Sequence, residues 1–317
     1  MDSMKTEDKN IPFVKKWITA ARPWALPAST MPVIFGTSLA IVIGGASFQF
    51  FRFVLALCAM VILHSAANIL SDFFDFRRGI DRNVTPVSGA VVRGWISKEE
   101  AAVGSGILFV LGSALGLVLV FMTNEILLVI GVIGVAVGVI YSFLKYHAWG
   151  DFAVFLDFGI LGSLGAWVVQ TKEFSWIPVI WTVPMAMLVS AILHANNWRD
   201  MKSDTPKGVR TVASLLGDQG SLYYYYFLTI GPFVVLLCLI LGPRIADLGI
   251  RAMPFSFFMA FLSIPSAGSL LKRALSRHKP SSPMDFIVLD GATSKHNLVF
   301  GILCTGAVWL HFFIVSI

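Results

Sequence analysis

The chain has 317 residues, of which 56% are hydrophobic and only 13% charged, and its mean hydropathy is +0.79. This is the composition of a multi-pass membrane protein, and it excludes both an ordinary soluble domain and a disordered chain. The formal net charge of +6 would suit nucleic acid, but the basic residues are placed as membrane-topology signals, so no nucleic-acid partner is expected.

Residues 1–12 are polar and read as a disordered tail without the pattern of a cleaved signal peptide. Residues 13–317 read as a single transmembrane domain. It opens with a short amphipathic helix over 13–22 that lies on the inner membrane surface. Apolar stretches long enough to span follow at 24–46, 50–71, 101–122, 125–145, 151–171, 176–197, 222–242, 252–272 and 297–316. With the N-terminus inside, 20 of the 24 Lys and Arg fall on the inner side, and only Arg52, Lys172, Arg244 and Arg251 face out. The predicted fold is therefore all-α, nine transmembrane helices around a central cavity. Two inner loops, about 75–100 and 200–221, are long enough to act as lids or binding segments. Cys58, Cys238 and Cys304 fall inside spans and read as small buried apolar residues. The glycines at 131, 134 and 138, and at 162 and 165, read as close-packing sites. Tyr223–Tyr226 reads as part of an aromatic belt.

Two polar stretches break the apolar pattern, and they match. Asn68, Asp72 and Asp75 stand at i, i+4 and i+7 near the end of the second span; Asn196, Asp200 and Asp204 stand at i, i+4 and i+8 near the end of the sixth. That spacing puts each set on one helical face. The two Asn-x-x-x-Asp frames lie 128 residues apart and are separated by four spans, so both face the same side. Residues 24–145 and 151–272 then read as parallel repeats. An acid inside a membrane helix costs roughly 2.5–3.5 kcal/mol, so matched intramembrane carboxylates point to function. Carboxylate and amide oxygens are hard ligands that suit Mg²⁺, and Mg²⁺ shares its shell with phosphates. The interleaved cations Arg78, Arg199, Lys202, Lys207 and Arg210 would neutralise a diphosphate. His64 and His194 precede the two motifs and read as interhelical hydrogen-bonding residues rather than as a haem or metal pair.

With these motifs in view, the chain resembles the UbiA superfamily of intramembrane prenyltransferases along essentially its whole length. The first motif is Asn68 with Asp72-Phe-Phe-Asp75-Phe-Arg-Arg-Gly79-Ile-Asp81. The second, Asn196-Asn197-Trp-Arg199-Asp200-Met-Lys-Ser-Asp204-Thr-Pro-Lys-Gly208-Val-Arg-Thr211, carries a complete family frame. Within the superfamily both are similar to the menaquinone branch (MenA-like, 1,4-dihydroxy-2-naphthoate prenyltransferases). The opening Arg22-Pro23-Trp-Ala-Leu-Pro27 is similar to the family's first helix. Ser71 and the Tyr141-to-Lys145 stretch depart from the bacterial menaquinone pattern, and the latter is closer to the Tyr-x-x-x-Lys of other branches.

The resemblance implies Mg²⁺-dependent transfer of a polyprenyl group from its diphosphate to an aromatic acceptor, with 1,4-dihydroxy-2-naphthoate first in line. Other acceptors, 4-hydroxybenzoate or geranylgeranylglyceryl phosphate, stay open, as does an ion or organic-anion transporter. Asp72, Asp75, Asp200 and Asp204, with Asn68 and Asn196, are the expected ligands of two Mg²⁺ ions, for which Mn²⁺ could substitute. Arg22, Asn197 and Lys145 are expected on the diphosphate, Tyr141 at the substrate, and Asp151 orients or deprotonates the acceptor, while Asp157 reads as a buried polar contact. The enzyme would sit in the plasma membrane among lipid, with its site facing the cytoplasm.

Overall fold

The computed structural model describes residues 11–80, 84, 89–278, 286 and 289–316. Most of the predicted tail, and Asp81 of the first motif, lie outside the described residues. Among those described, the chain is helical throughout. α1 (Phe13–Ala21) is followed by a single 3₁₀ turn and α2 (Pro27–Val42), bent 60° from each other. Then come α3 (Phe50–Arg77), α4 (Lys98–Met122) and α5 (Glu125–Tyr146). α6 (Gly150–Val154) passes through a π-helical stretch, Phe155–Leu161, into α7 (Gly162–Thr171). α8 (Trp176–Trp181), α9 (Val183–Asp204) and α10 (Val212–Ile245) follow. A 3₁₀ segment, Phe255–Ser263, leads into α11 (Ile264–Leu275), and α12 (Leu289–Ser316) closes the chain.

Local chemistry sets many of these boundaries. Ser97 and Glu100 form a reciprocal capping box that starts α4. Thr211 and Ser214 do the same for α10, and the side chains of Asn124 and Ser175 cap α5 and α8. Pro27 and Pro184 sit in the first turns of α2 and α9, where a missing N–H costs nothing.

Seven helices are long and apolar enough to cross a membrane, or eight if the bent pair before Val42 is one span. Nine were expected. The 24–46 stretch is shortened by the bend around Pro23 and Pro27. The 176–197 stretch is interrupted at Thr182, and its second half, α9, is too polar on average because it carries a motif. The long loop expected over 200–221 is mostly helix, since α9 runs to Asp204 and α10 begins at Val212. The break comes inside α10, where Gly217 adopts φ 66°.

α3 packs on α4, α9 on α10, and α2 against α7 and α12. Gly36 of α2 sits directly against the backbone of Ser163 in α7, and a side chain there would not fit. α4 and α5 form the periphery, with 17% and 11% of their apolar windows buried, against 61% for α6–α7. Outward-facing Leu, Val and Phe on α4 and α5 suit a lipid environment. Cys304 is buried as expected, but Cys58 and Cys238 are exposed on outward faces, where a thiol serves as an ordinary apolar group. The tyrosine run does not act as one belt: Tyr223 is exposed, whereas Tyr225 is buried and bonded to Thr293 at 2.7 Å.

Candidate active site

Both motifs form the last turns of long helices, the first on α3 and the second on α9. Asn68 and Asn196 line one cavity, together with Arg22, Tyr141, Lys145 and Asp290. Asp72 is buried and accepts a hydrogen bond from Arg22. Arg22 is the C-cap of α1 in the left-handed conformation (φ 54°), uncommon for a residue with a side chain. The kink before Pro23 thus delivers the guanidinium to α3. Asn68 donates to the carbonyl of Ala21 at 3.1 Å and fixes the same corner.

Asp75, also buried, accepts from Lys145 Nζ at 2.9 Å and from the Tyr146 hydroxyl at 2.7 Å. Both donors come from the end of α5. The guanidinium of Arg78 lies over the Tyr146 ring, 4.2 Å from its centre, a cation–π contact rather than an approach to the cavity. Gly89 packs against the Asp72 carboxylate so tightly that a β-carbon would overlap it.

In the second motif, Arg199 holds Asp200 in a two-point contact at 2.9 and 2.7 Å and donates to Asp290 at 2.6 Å. Asn196 also donates to Asp290, at 3.4 Å. Asp204 is buried and accepts from Ser203 at 3.1 Å. Of the expected phosphate contacts, Lys202 and Arg210 are exposed, and Lys207 donates to the carbonyl of Ile80. The Arg210 backbone bridges to Tyr146 and Ala148, tying the end of α5 to the start of α10.

Asp151 and Asn197 are placed differently from expectation. Asn197 donates to Asp151 at 3.4 Å, His194 lies 3.3 Å from the same carboxylate, and Ser190 donates to its carbonyl at 2.8 Å. Asp151 lines a separate lateral pocket with Tyr224 and Phe227, so neither residue borders the central cavity. His64 does border it, held by Ser29 at 2.7 Å and packed against the Phe158 ring at a centroid distance of 4.3 Å and a tilt of 32°. The sequence reading did not include Asp290 or Gly89 in the site. Asp290 sits at the first turn of α12, ahead of the predicted last span, and the polar residues Thr293, Ser294, Lys295 and His296 were the available signal for a longer helix.

Below the polar cavity lies an apolar one of about 450 Å³, within the usual range for small-molecule sites. The two share Ala67, Gly138, Asp157 and Phe158 as walls. Gly131 and Gly134 line the apolar cavity; at Gly131 a β-carbon would meet nothing within 4 Å. These glycines therefore hollow out a space rather than bring helices together. Among the described residues no three Asp, Glu, His or Cys side chains stand close enough to hold a metal ion. The donors have the chemistry of a Mg²⁺ site, all hard oxygens, but Asp72, Asp75 and Asp200 each face a basic side chain.

The fold defines an integral multi-pass membrane protein, with a cavity lined by charged and amide side chains beside an apolar one. The UbiA prenyltransferase family model matches residues 29–285, and the chain belongs to that family. It is accordingly a prenyltransferase. Over 308 residues it is 31% identical to UbiA prenyltransferase domain-containing protein 1 of Xenopus tropicalis, covering 94% of this chain and 84% of that protein. In fold it is similar to a UbiA homolog from Archaeoglobus fulgidus bound to GPP and Mg²⁺, with a TM-score of 0.61 at 17% identity over 92% of this chain and 99% of that one. A digeranylgeranylglyceryl phosphate synthase structure matches with a TM-score of 0.56 at 19% identity, covering 93% and 99% of the two chains.

Proposed function

We propose that the chain moves a polyprenyl group from its diphosphate to an aromatic ring, with 1,4-dihydroxy-2-naphthoate as the first acceptor to test. One observation carries this reading. A cavity ringed by Arg22, Asn68, Lys145 and Asn196 adjoins an apolar cavity with which it shares four wall residues, an arrangement that suits a molecule with an anionic head and a hydrocarbon chain. The diphosphate would sit among the first set of residues and the chain among the glycines and aliphatic side chains of α3, α4 and α5.

Asp72, Asp75, Asp200 and Asp204, with the amide oxygens of Asn68 and Asn196, would hold two Mg²⁺ ions. When bound, such ions supply positive charge against the phosphate oxygens and ease departure of the diphosphate. Arg22 and Lys145 now neutralise Asp72 and Asp75. Both basic side chains also line the cavity proposed for the diphosphate, where they would meet the donor's phosphates. Arg22 can then grip two phosphate oxygens at once, while Lys145 acts as a point charge. The ring carbon of the acceptor attacks the donor's first carbon as the C–O bond breaks and its electron pair leaves with the diphosphate. The apolar walls exclude water that would otherwise capture the allylic cation. The reading carries with it nine spans, an N-terminus inside and a site open to the cytoplasm.

The test is a reconstituted reaction of purified protein, Mg²⁺, a labelled prenyl diphosphate and a panel of acceptors, with products identified by mass. Prenylated naphthoate-derived product, lost in excess EDTA and restored by Mg²⁺ or Mn²⁺, is the expected result. Product from 4-hydroxybenzoate or geranylgeranylglyceryl phosphate alone would overturn the acceptor, and full turnover in EDTA would overturn the metal.

A further inference from the structure

We propose that Asp157 is the group that receives the acceptor, orienting its hydroxyl and taking up its proton at the moment of attack. This role rests on the prenyl-transfer reading above. Asp157 is one of four residues that wall both cavities, so it stands where the anionic head of a donor would give way to its chain. The reacting carbon of a prenyl diphosphate lies at that junction by construction.

The surroundings set this carboxyl apart. Asp72, Asp75, Asp200 and Asp290 are each engaged by Arg or Lys. Among the described residues the Asp157 carboxyl has no hydrogen bond or ion pair, yet it lines the same cavity as Arg22, Lys145 and Asp290. It belongs to the π-helical stretch Phe155–Leu161. Single π turns inside α-helices recur at functional sites because they re-aim a side chain at the cost of regular hydrogen bonding. On the facing helix, a β-carbon at Gly134 would lie 3.0 Å from Asp157 Oδ1, so that glycine leaves room for the carboxyl. A buried polar contact, the plain alternative, would have a partner; none is present among the described residues.

The step balances. The acceptor's O–H proton passes to the Asp157 carboxylate as the neighbouring ring carbon forms the new C–C bond. The donor's C–O bond breaks, and its electron pair leaves on the diphosphate. The resulting ring ketone regains aromaticity by losing the hydrogen, as a proton, or the carboxyl group, as CO₂, that its alkylated carbon carried; the ring oxygen takes the proton back from Asp157.

Asp157→Asn keeps the volume and removes the base, and two measurements on the full-length protein in Mg²⁺ separate its role from structure. Binding of labelled prenyl diphosphate, and its slow hydrolysis without acceptor, should stay within threefold of wild type. Prenyl transfer at saturating acceptor should fall by at least about 10², the usual lower bound for general-base catalysis. Asp157→Glu should recover part of that loss. Transfer by Asp157→Asn within tenfold of wild type overturns the role, as does a parallel fall in transfer and acceptor-free hydrolysis. A prenyl ester on Asp157 found by mass also overturns it, because the carboxylate would then be a nucleophile. Wild-type protein that binds donor yet prenylates no hydroxylated aromatic overturns the transfer reading, and this role falls with it.

Discussion

Gly89→Ala isolates the packing behind the first motif without touching a charged residue. Gly89 is buried beside the Asp72 carboxylate, and its φ lies outside the left-handed region, so alanine is allowed by the backbone. In open space that change would stabilise by about 0.4–1 kcal/mol through the unfolded chain. Here the added methyl overlaps the carboxylate, and overpacking costs about 1–3 kcal/mol. Relief requires Asp72 to shift against Arg22, which weakens their ion pair. With overpacking near the middle of that range, about 2 kcal/mol, against an entropic gain of about 0.7, the variant loses about 1 kcal/mol net. Displacing Asp72 from the place proposed for it at the diphosphate should lower prenyl transfer more than tenfold, a barrier change above about 1.4 kcal/mol. Thermal unfolding in detergent and steady-state transfer measure the two effects. In an Asp72→Ala background the methyl has room, so adding Gly89→Ala should cost almost nothing more, the non-additivity expected of groups in contact. A single variant as stable and as active as wild type, or fully additive losses in the pair, would refute the reasoning.

Asp72→Asn or Asp200→Asn, which removes a charge without changing volume, should leave the protein folded and reduce transfer below a tenth of wild type, a barrier change above about 1.4 kcal/mol; activity above that level would remove the residue from the machinery. Gly131→Phe fills the apolar cavity and should shift donor preference toward shorter prenyl diphosphates, read as the ratio of kcat/KM between a short and a long donor; an unchanged ratio would place the chain elsewhere. A single cysteine at Ser203, in a background lacking Cys58, Cys238 and Cys304, should react with an impermeant maleimide only in inside-out vesicles. One at Ser175, before α8, should show the opposite sidedness, and equal labelling of both from one face would break the nine-span topology.

What the sequence made legible, and what it hid, follows from the range of the interactions involved. The two Asn-x-x-x-Asp motifs were legible because an acid in an apolar run is costly wherever the chain folds, and their spacing maps directly to one helical face. The capping box seen at the start of α4 is equally local, since Ser97 with Glu100 needs only three residues of context. The misplaced residues depend on which face meets which neighbour. Asn196 and Asn197 are adjacent, yet a helix turns about 100° per residue, so one borders the central cavity and the other meets Asp151 across α6. Asp151, once captured by Asn197 and flanked by His194, is turned to the lateral pocket; Asp157, six residues on and within the π-helical stretch, faces the central one. Six residues of regular α-helix would place the two side chains about 120° apart, on different faces, and the sequence does contain that information. Which of the two faces is the inside depends on α5 and α9 packing around it, and no local pattern records that choice. Gly134 shows the same limit. As a residue it reads as a close-packing glycine, and only the placement of Asp157 opposite it turns the missing side chain into space for a carboxyl.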